Sequence, residues 1–305
     1  MTRFSQRVSD LGYAAGWRLV RRVPQGLADA AFTLGADFAV RRRGAGVVQL
    51  RRNLARVVPQ AGPAELDELT RRAMRSYARY WEETFRLPAM DLDVVRQRFS
   101  ITGVENIEAA LAEGNGAVIV LPHMGNWDIA GVWLVGYAGS FTTVVERLRP
   151  ESVYRRFVEY RESLGFEILP ASGGTGSFRL LLQRLRENKL VCLVGDRDLS
   201  GSGVPVTFFG ERTRMPAGAA RLAVSTGAAL LPVGSWFTED GWSARVHPRI
   251  RVTARAEIPA AVQATADIFA GDIAAHPADW HMLQKFWTAD LGESEPEPAE
   301  EAAAG

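Results

Sequence analysis

The stretch AVIVLPHMGNWDIAG, residues 117–131, decides the fold class. Five consecutive apolar residues, Ala117–Leu121, predict a strand that is buried on both faces. Pro122 and Gly125 predict a turn, and a helix is expected to begin near Trp127. A strand that leads into a helix through a short turn opens a βαβ unit, so we expect an α/β fold with a mostly parallel central sheet flanked by helices.

Downstream of about Phe99, short apolar runs punctuated by Gly and Pro alternate with helical patterns. Further strands are expected at Phe141–Val145, Glu167–Leu169, Leu190–Val194, Val206–Phe208, Ala229–Phe237 and Ala244–Val246. Helices are expected at Glu105–Glu113, Trp127–Gly136, Pro150–Leu164, Gly176–Glu187, Pro216–Thr226 and Thr265–His276. Because neither a repeat nor a linker interrupts this pattern, residues 1–290 are expected to form one domain, with an α/β core over residues 99–290.

The first ninety residues are predicted to be helical and are strongly basic at their start. Residues 1–60 carry eleven Arg against three Asp. Two interpretations remain open: a helix pair packed on its own domain, or a basic amphipathic element at an anionic membrane surface. The second rests on charges that lie beside apolar anchors, namely Arg18, Arg21 and Arg22 with Trp17 and Leu19.

Composition excludes several classes of protein. The 36 basic and 35 acidic residues nearly balance, which argues against a nucleic-acid-binding protein. The single cysteine, Cys192, rules out an internal disulfide and suits a reducing compartment. The longest uncharged runs contain Gly or Pro and are too short to predict a transmembrane helix, and no signal peptide is expected. Five Glu and no basic residue in the terminal stretch predict an acidic, disordered tail over residues 291–305.

His123 and Asp128 are the first candidates for chemistry. They flank the turn that joins the strand to the helix, where an imidazole and a carboxylate can meet. A carboxylate hydrogen-bonded to one ring nitrogen leaves the other ready to take a proton from a hydroxyl. The structural alternative is a histidine at a strand end and an aspartate that caps the positive end of a helix.

The quoted stretch resembles the His-x4-Asp lysophospholipid acyltransferases, in the branch that contains the lipid A late acyltransferases. Two further blocks are similar to that branch, LVGDRDLSGSGVPVTFFGERTRMPAGAARLA at residues 193–223 and HPADWHMLQKFW at residues 276–287. Together with residues 145–170, they look most like the actinobacterial phosphatidylinositol mannoside acyltransferases. The resemblance spans roughly residues 5–290.

The resemblance implies a direct acyl transfer in which His123 deprotonates a sugar hydroxyl and Asp128 stabilises the imidazolium. The family's second acidic residue is expected at Asp196 first and Asp198 second, with Arg197 between them pairing structurally or meeting an anionic substrate. Cys192 is expected to be a core residue and not a nucleophile.

The remaining candidates concern substrate binding. Glu146 and Arg161 match charged positions that the family places around the acceptor's polar head, and their alternative is a solvated surface position. Arg214 and Arg221 flank a helix start that could hold phosphate. The implied partners are acyl-CoA, palmitoyl-CoA by preference, a phosphatidylinositol mannoside, and the anionic cytoplasmic face of the plasma membrane; no cofactor is implied beyond the co-substrate.

Three alternatives to this function stay open. The nearest is a glycolipid acyltransferase of the lipid A type that uses acyl carrier protein. The others are a hydrolase with a metal held by His123, Asp128 and one of Asp196 and Asp198, and a lipid-binding protein without catalysis. Metal analysis and turnover of acyl-CoA separate these classes.

Overall fold

The computed structural model describes residues 20–146, 151–171, 175–198 and 201–292. Nine strands lie in this part of the chain: β1 (Phe99–Thr102), β2 (Ala117–Leu121), β3 (Phe141–Val145), β4 (Phe166–Pro170), β5 (Leu190–Val194), β6 (Val204–Phe208), β7 (Glu211–Met215), β8 (Ala229–Phe237) and β9 (Trp242–Val246). Seven of them form one sheet in the order β1-β9-β8-β2-β5-β3-β4. All pairs in it are parallel except β8 with β9, which confirms the predicted mostly parallel sheet.

Helices flank the sheet and form the amino-terminal part of the described chain. They are α1 (Gln25–Arg42), α2 (Ala45–Val57), α3 (Pro63–Arg86), α4 (Leu92–Gln97), α5 (Glu105–Ala112), α6 (Trp127–Ala138), α7 (Glu151–Ser163), α8 (Thr175–Arg186), α9 (Gly218–Thr226), α10 (Ile258–Ala275) and α11 (Thr288–Leu291). Short 3-10 turns occupy Leu87–Ala89, Arg255–Glu257 and Pro277–Asp279. Among the described residues, no helix combines the length and the apolar character needed to cross a membrane.

The alternation of side chains along β2 explains why this strand lies at the centre of the fold. Val118 and Val120 join the apolar cluster on one face of the sheet, and Ile119 and Leu121 join the cluster on the other. All five residues of β2 are buried. A strand covered on both faces has no polar side to alternate with, which is why its sequence reads as a continuous apolar run.

Helices α1 to α3 share a third apolar cluster of their own, which includes Leu50, Leu54 and Leu69. Of the basic group predicted to meet a membrane, Arg21 donates to the carbonyl of Phe85 at 3.1 Å and so packs against its own domain. Arg22 is exposed. Trp17, Arg18 and Leu19 lie outside the described residues, as do 293–305 of the predicted tail.

Several elements differ from the sequence-based expectation. Strands β1 and β7 were not expected, and β6 pairs with β7 in a separate antiparallel hairpin instead of joining the main sheet. Helix α10 begins at Ile258, two turns earlier than its predicted start at Thr265. Strand β7 was not predicted because its charged residues, including Arg212 and Arg214, interrupt any run of apolar residues.

Candidate active site

His123 and Asp196 lie side by side because the strands that precede them are neighbours. Strand β2 pairs with β5 in parallel, with Leu121 opposite Val194. Each functional residue follows its strand by the same two positions, so both emerge at the carboxyl edge of the sheet. This edge is where ligands of parallel sheets bind.

Two hydrogen bonds join these residues. His123 Nδ1 lies 2.6 Å from Asp196 Oδ1, and the backbone N–H of His123 donates to Oδ2 at 3.0 Å. Since the Nδ1–H donates a hydrogen bond to the carboxylate, Nε2 is the ring nitrogen left to accept a proton from a substrate. Within the described part of the chain, Nε2 has no hydrogen-bond partner. An imidazole held by a buried carboxylate in this way can act as a general base.

Asp196 is fully buried and remains ionised. Burial raises the pKa of its carboxyl group, but the charge of His123, the two hydrogen bonds from His123 and one from Trp280 together lower that pKa below its ordinary value. The Trp280 indole Nε1–H donates to Oδ2 at 3.2 Å.

The expected hydrogen bond between Asp128 and His123 is replaced by a different pairing. The buried Asp128 carboxylate accepts two hydrogen bonds from Arg161, at 2.7 Å and 3.2 Å, and longer ones from Tyr80 at 3.3 Å and Thr84 at 3.5 Å. The reason is local: Asp128 lies in the first turn of α6 and faces α3 and α7. Asp196, and not Asp128, therefore contacts the imidazole, which corrects the expectation drawn from spacing.

Arg161 is less deeply buried than its partner, with 15% of its side chain exposed against 1% for Asp128. Burial lowers the pKa of its guanidinium, but the charge and the hydrogen bonds of Asp128 more than compensate and raise it. The ion pair links α6 to α7. In this environment each group depends on the other for its solvation.

A cavity of about 660 Å³ begins beside His123. Six of the predicted site residues line it: His123, Asp128, Glu146, Arg161, Arg197 and Asp198. The rest of its wall is largely apolar and includes Trp127, Trp133, Phe99, Phe141, Phe166 and Phe178. Cavities of this size and character fit small-molecule ligands with a long apolar part.

The other charged candidates are distributed around this cavity. Arg197 lies 3.3 Å from Glu146 in an ion pair, and Asp198 Oδ2 accepts from the backbone N–H of Gly203. Arg214 and Arg221 are not among its lining residues; Arg214 donates to the carbonyl of Gly203 at 3.4 Å. Of the two acidic candidates in the turn, the structure places Asp196 on the imidazole and Asp198 in the wall.

Cys192 also lines the cavity, from strand β5. Burial raises the pKa of its thiol. A thiol that stays protonated is a poor nucleophile, which fits its expected place in the core. Among the residues that the structure describes, no three His, Cys, Asp or Glu side chains form a set that could hold a metal ion.

The carboxy-terminal segment Asp279–His281 belongs to the site, and sequence reasoning assigned it no role. The backbone N–H of Gly125 donates to the Asp279 carbonyl at 2.9 Å, and that of His281 donates to the His123 carbonyl at 2.8 Å. Gly125 has a φ of +61°, and a Cβ there would lie 2.7 Å from the carbonyl oxygen of Ser235. Glycine thus lets the loop after β2 pass between this segment and β8. The resemblance of residues 276–287 was the signal that could have pointed here.

A buried chain of hydrogen bonds anchors the same segment to α3. Ser76 Oγ donates to Asp279 Oδ1 at 2.7 Å and lies 3.1 Å from His281 Nε2. Burial and the neighbouring His123 lower the pKa of His281 to about 3, so its ring is neutral. His281 therefore carries no charge toward His123.

Known proteins resemble this chain over nearly its whole length. A family model described as bacterial lipid A biosynthesis acyltransferase matches residues 1–289. A protein of Mycolicibacterium smegmatis named phosphatidylinositol mannoside acyltransferase is 56% identical over 289 residues, which cover 94% of each chain. One of the same name from Mycobacterium tuberculosis is 52% identical over 293 residues, 95% of this chain and 92% of that one. The chain belongs to the bacterial lipid A biosynthesis acyltransferase family.

Proposed function

We propose that the protein transfers a long-chain acyl group, with palmitoyl as the first choice, from acyl-CoA to a mannose hydroxyl of a phosphatidylinositol mannoside. The observation that carries the proposal is the position of His123. Its Nδ1 is held by Asp196, and its ring lines a largely apolar cavity of about 660 Å³. A base beside an apolar cavity suits an acyl substrate, and the names of the relatives support the glycolipid acceptor.

The proposed reaction is a direct transfer. His123 Nε2 takes the proton of the mannose hydroxyl while the hydroxyl oxygen attacks the thioester carbonyl carbon. The carbon–sulfur bond then breaks, and the coenzyme A thiolate recovers the proton from the imidazolium. Asp196 stabilises the imidazolium through Nδ1, and a positioned base of this kind contributes about 10²–10⁴-fold to the rate.

The cavity divides naturally between the two substrates. Its apolar wall suits the acyl chain, and Glu146 and Arg161 suit the polar head of the acceptor. Arg197 and Asp198 also line the cavity, and Arg197 pairs with Glu146. Arg214 and Arg221 stay candidates for the phosphates of coenzyme A, near the start of α9. The proposal involves no cofactor besides the co-substrate.

We place this reaction at the cytoplasmic face of the plasma membrane, with the protein bound peripherally. Support comes from α1, on which Leu27, Leu34 and Phe38 are well exposed and recur at helical spacing. The exposed Arg41 and Arg42 follow them, and the Arg42 guanidinium lies 5.0 Å from the Phe38 ring. Apolar anchors beside basic residues suit an anionic lipid surface.

Product analysis tests the proposal. Purified protein is incubated with palmitoyl-CoA and vesicles that contain a phosphatidylinositol mannoside, and the products are identified by mass spectrometry. We expect a glycolipid heavier by one acyl group and one equivalent of free coenzyme A. Transfer only from acyl carrier protein, or only to a lipid A precursor, would contradict the stated substrates.

Two further outcomes would contradict transfer itself. Release of free fatty acid that a chelator abolishes would indicate a metal-dependent hydrolase. Binding of acyl-CoA without any turnover, with or without acceptor, would indicate a lipid-binding protein. His123→Ala is the control in each arm, because it removes the proposed base from the cavity wall.

A further inference from the structure

Trp280 reaches the site from the carboxy-terminal segment and touches the orienting carboxylate. Its side chain is fully buried, and its backbone forms an isolated antiparallel β-bridge with Met124 in the loop after β2. The indole Nε1–H donates to Asp196 Oδ2 at 3.2 Å. Asp196 thus joins the Trp280 indole to the His123 imidazole by hydrogen bonds.

The Asp196 carboxylate therefore serves three donors. Oδ1 accepts from His123 Nδ1, while Oδ2 accepts from the His123 backbone and from Trp280. A donor to Oδ2 draws negative charge away from Oδ1 and fixes the plane of the carboxylate. Both effects act on the bond that orients the imidazole.

We propose that Trp280 is a positioning residue that acts through its indole N–H. This donor fixes the orientation of the Asp196 carboxylate and weakens the electrostatic attraction between that carboxylate and the His123 imidazolium. The proposal rests on the transfer reaction proposed above only in calling His123 the base. Without the indole donor, Asp196 holds the imidazolium more tightly. A higher pH is then needed to free the base.

Packing alone does not account for this contact, as a second tryptophan shows. Trp287 is also fully buried, in the same aromatic cluster, with its ring 6.0 Å from that of Trp280. Its indole N–H donates to the carbonyl of Phe208 at 2.9 Å and not to a carboxylate. The two residues are alike in burial and packing, and they differ in the hydrogen-bond acceptor of the indole N–H.

Other charged and titratable groups surround His123 and stay constant in such a comparison. They are Tyr80 on α3, Asp128 and Arg161 on α6 and α7, Glu146 after β3, Arg197 and Asp198 after β5, and Asp279 and His281 in the carboxy-terminal segment. Asp128 is held by Arg161, Glu146 lies beside Arg197, and His281 is neutral. None of these partners involves Trp280.

The test compares Trp280→Phe with Trp287→Phe in the full chain. For Trp280→Phe we expect kcat/KM at neutral pH to fall by about ten-fold and the acidic limb of its pH profile to move upward by about half a unit or more. Trp287→Phe lowers the melting temperature and leaves the pH profile in place. A Trp280→Phe enzyme whose activity falls with an unmoved pH profile would overturn the proposal, because that is the behaviour of a packing residue.

A second readout does not depend on turnover. The imidazole ¹⁵N shifts of the four histidines are titrated by NMR, with the His123 signal assigned by its loss in His123→Ala. We expect the His123 midpoint to rise in Trp280→Phe, and this rise to vanish when Asp196→Asn is already present. An unchanged midpoint, or a rise that persists without the carboxylate, would contradict the proposal even in a protein that transfers no acyl group. Absence of acyl transfer by the wild type would instead contradict the proposed function.

Discussion

Arg161 and Asp128 form a buried ion pair with hydrogen bonds of 2.7 Å and 3.2 Å, and this pair joins two helices at the wall of the cavity. The aspartate of the His-x4-Asp sequence thus contacts an arginine from α7, while the histidine contacts an aspartate that follows the neighbouring strand β5. The two acidic residues near the base consequently have separable effects, which mutagenesis can distinguish.

Replacing Asp128 by Asn should mainly reduce stability. The amide leaves Arg161 charged and buried without a counter-charge, a change that typically costs about 3–5 kcal/mol. Chemical denaturation measures this loss in the free energy of unfolding. The double variant Asp128→Asn with Arg161→Met should regain part of it, since no unpaired charge then remains; an Asp128→Asn variant as stable as the wild type would refute this account.

Replacing Asp196 by Asn, or His123 by Ala, should mainly reduce turnover. His123→Ala removes the proposed base, and Asp196→Asn removes the charge that stabilises the imidazolium. We expect kcat to fall by about 10²–10⁴-fold in each case. Folding is checked by circular dichroism and donor binding by calorimetry. A folded variant that keeps more than about a tenth of the wild-type kcat would remove its residue from the proposed role.

Cys192→Ala should leave turnover near the wild-type value. The thiol lines the cavity but is kept protonated by burial, so it contributes volume and not a nucleophile. Rapid quenching of the wild type with acyl-CoA alone, followed by mass spectrometry of the intact chain, should show no added acyl group. A burst of coenzyme A release together with acylated protein would argue for a covalent intermediate instead.

Glu82 on α3 should make stability depend on pH. Burial, a hydrogen bond with Asp29 of α1 and the charge of Asp29 raise the pKa of Glu82 to about 8, against an ordinary value of 4.5. Because the folded state binds the Glu82 proton more tightly than the unfolded state, protonation of Glu82 stabilises the fold. This contribution is fully present below about pH 4.5 and is lost as the pH rises toward 8. Glu82→Gln should therefore raise the melting temperature by at least about 2 °C more at pH 8 than at pH 5. An equal shift at both values would show that the carboxyl group is not protonated in the folded state.

Leu34 and Phe38 should contribute to membrane binding. Both side chains are more than half exposed, and transferring apolar surface out of water is worth about 25 cal/mol per Å². The double variant Leu34→Ser with Phe38→Ser should bind anionic vesicles at least about ten-fold more weakly and acylate vesicle-embedded acceptor more slowly, while a short-chain soluble acceptor reacts normally. Val94→Ser, which changes an exposed apolar residue on α4, is the matched control. Equal binding by the wild type and the double variant would show that this face of α1 does not contribute to membrane binding.

The predicted basic group calls for its own variant. Joint replacement of Arg18, Arg21 and Arg22 by Gln should weaken binding to anionic vesicles, and added salt should reduce the difference between the variant and the wild type. The contact of Arg21 with Phe85 means that this variant also loses a bond within the domain. Melting temperature is therefore measured beside vesicle binding, and salt-insensitive binding equal to that of the wild type would support packing alone.

The central strands could be predicted residue by residue, and the reason is their burial. Ala117–Leu121, Phe141–Val145, Leu190–Val194 and Ala229–Phe237 have the predicted bounds. Strands β2 and β5, which pair with each other inside the sheet, appear as uninterrupted apolar runs. Strand β7 escaped prediction because its partner is a single neighbouring strand in a hairpin, which leaves room for charged residues along it.

The site could be predicted only as far as local sequence determines it. His123 follows a recognisable strand, so its place at the sheet edge could be expected. Its partner could not be deduced from spacing along the chain, because the choice of Asp196 depends on β2 lying beside β5. Trp280 meets Asp196 from far along the chain, and no periodicity in the sequence marks such a contact.

The hydrogen bonds of Asp279 and His281 to the loop after β2 also set the order in which the protein can mature on the ribosome. Synthesis proceeds from the amino terminus, so a contact between distant parts of a chain can form only after the later part has emerged. The loop that carries His123 is made long before the segment that holds it in place. A nascent chain thus contains His123 early, but the loop around it gains these hydrogen bonds only after Asp279 and His281 have emerged.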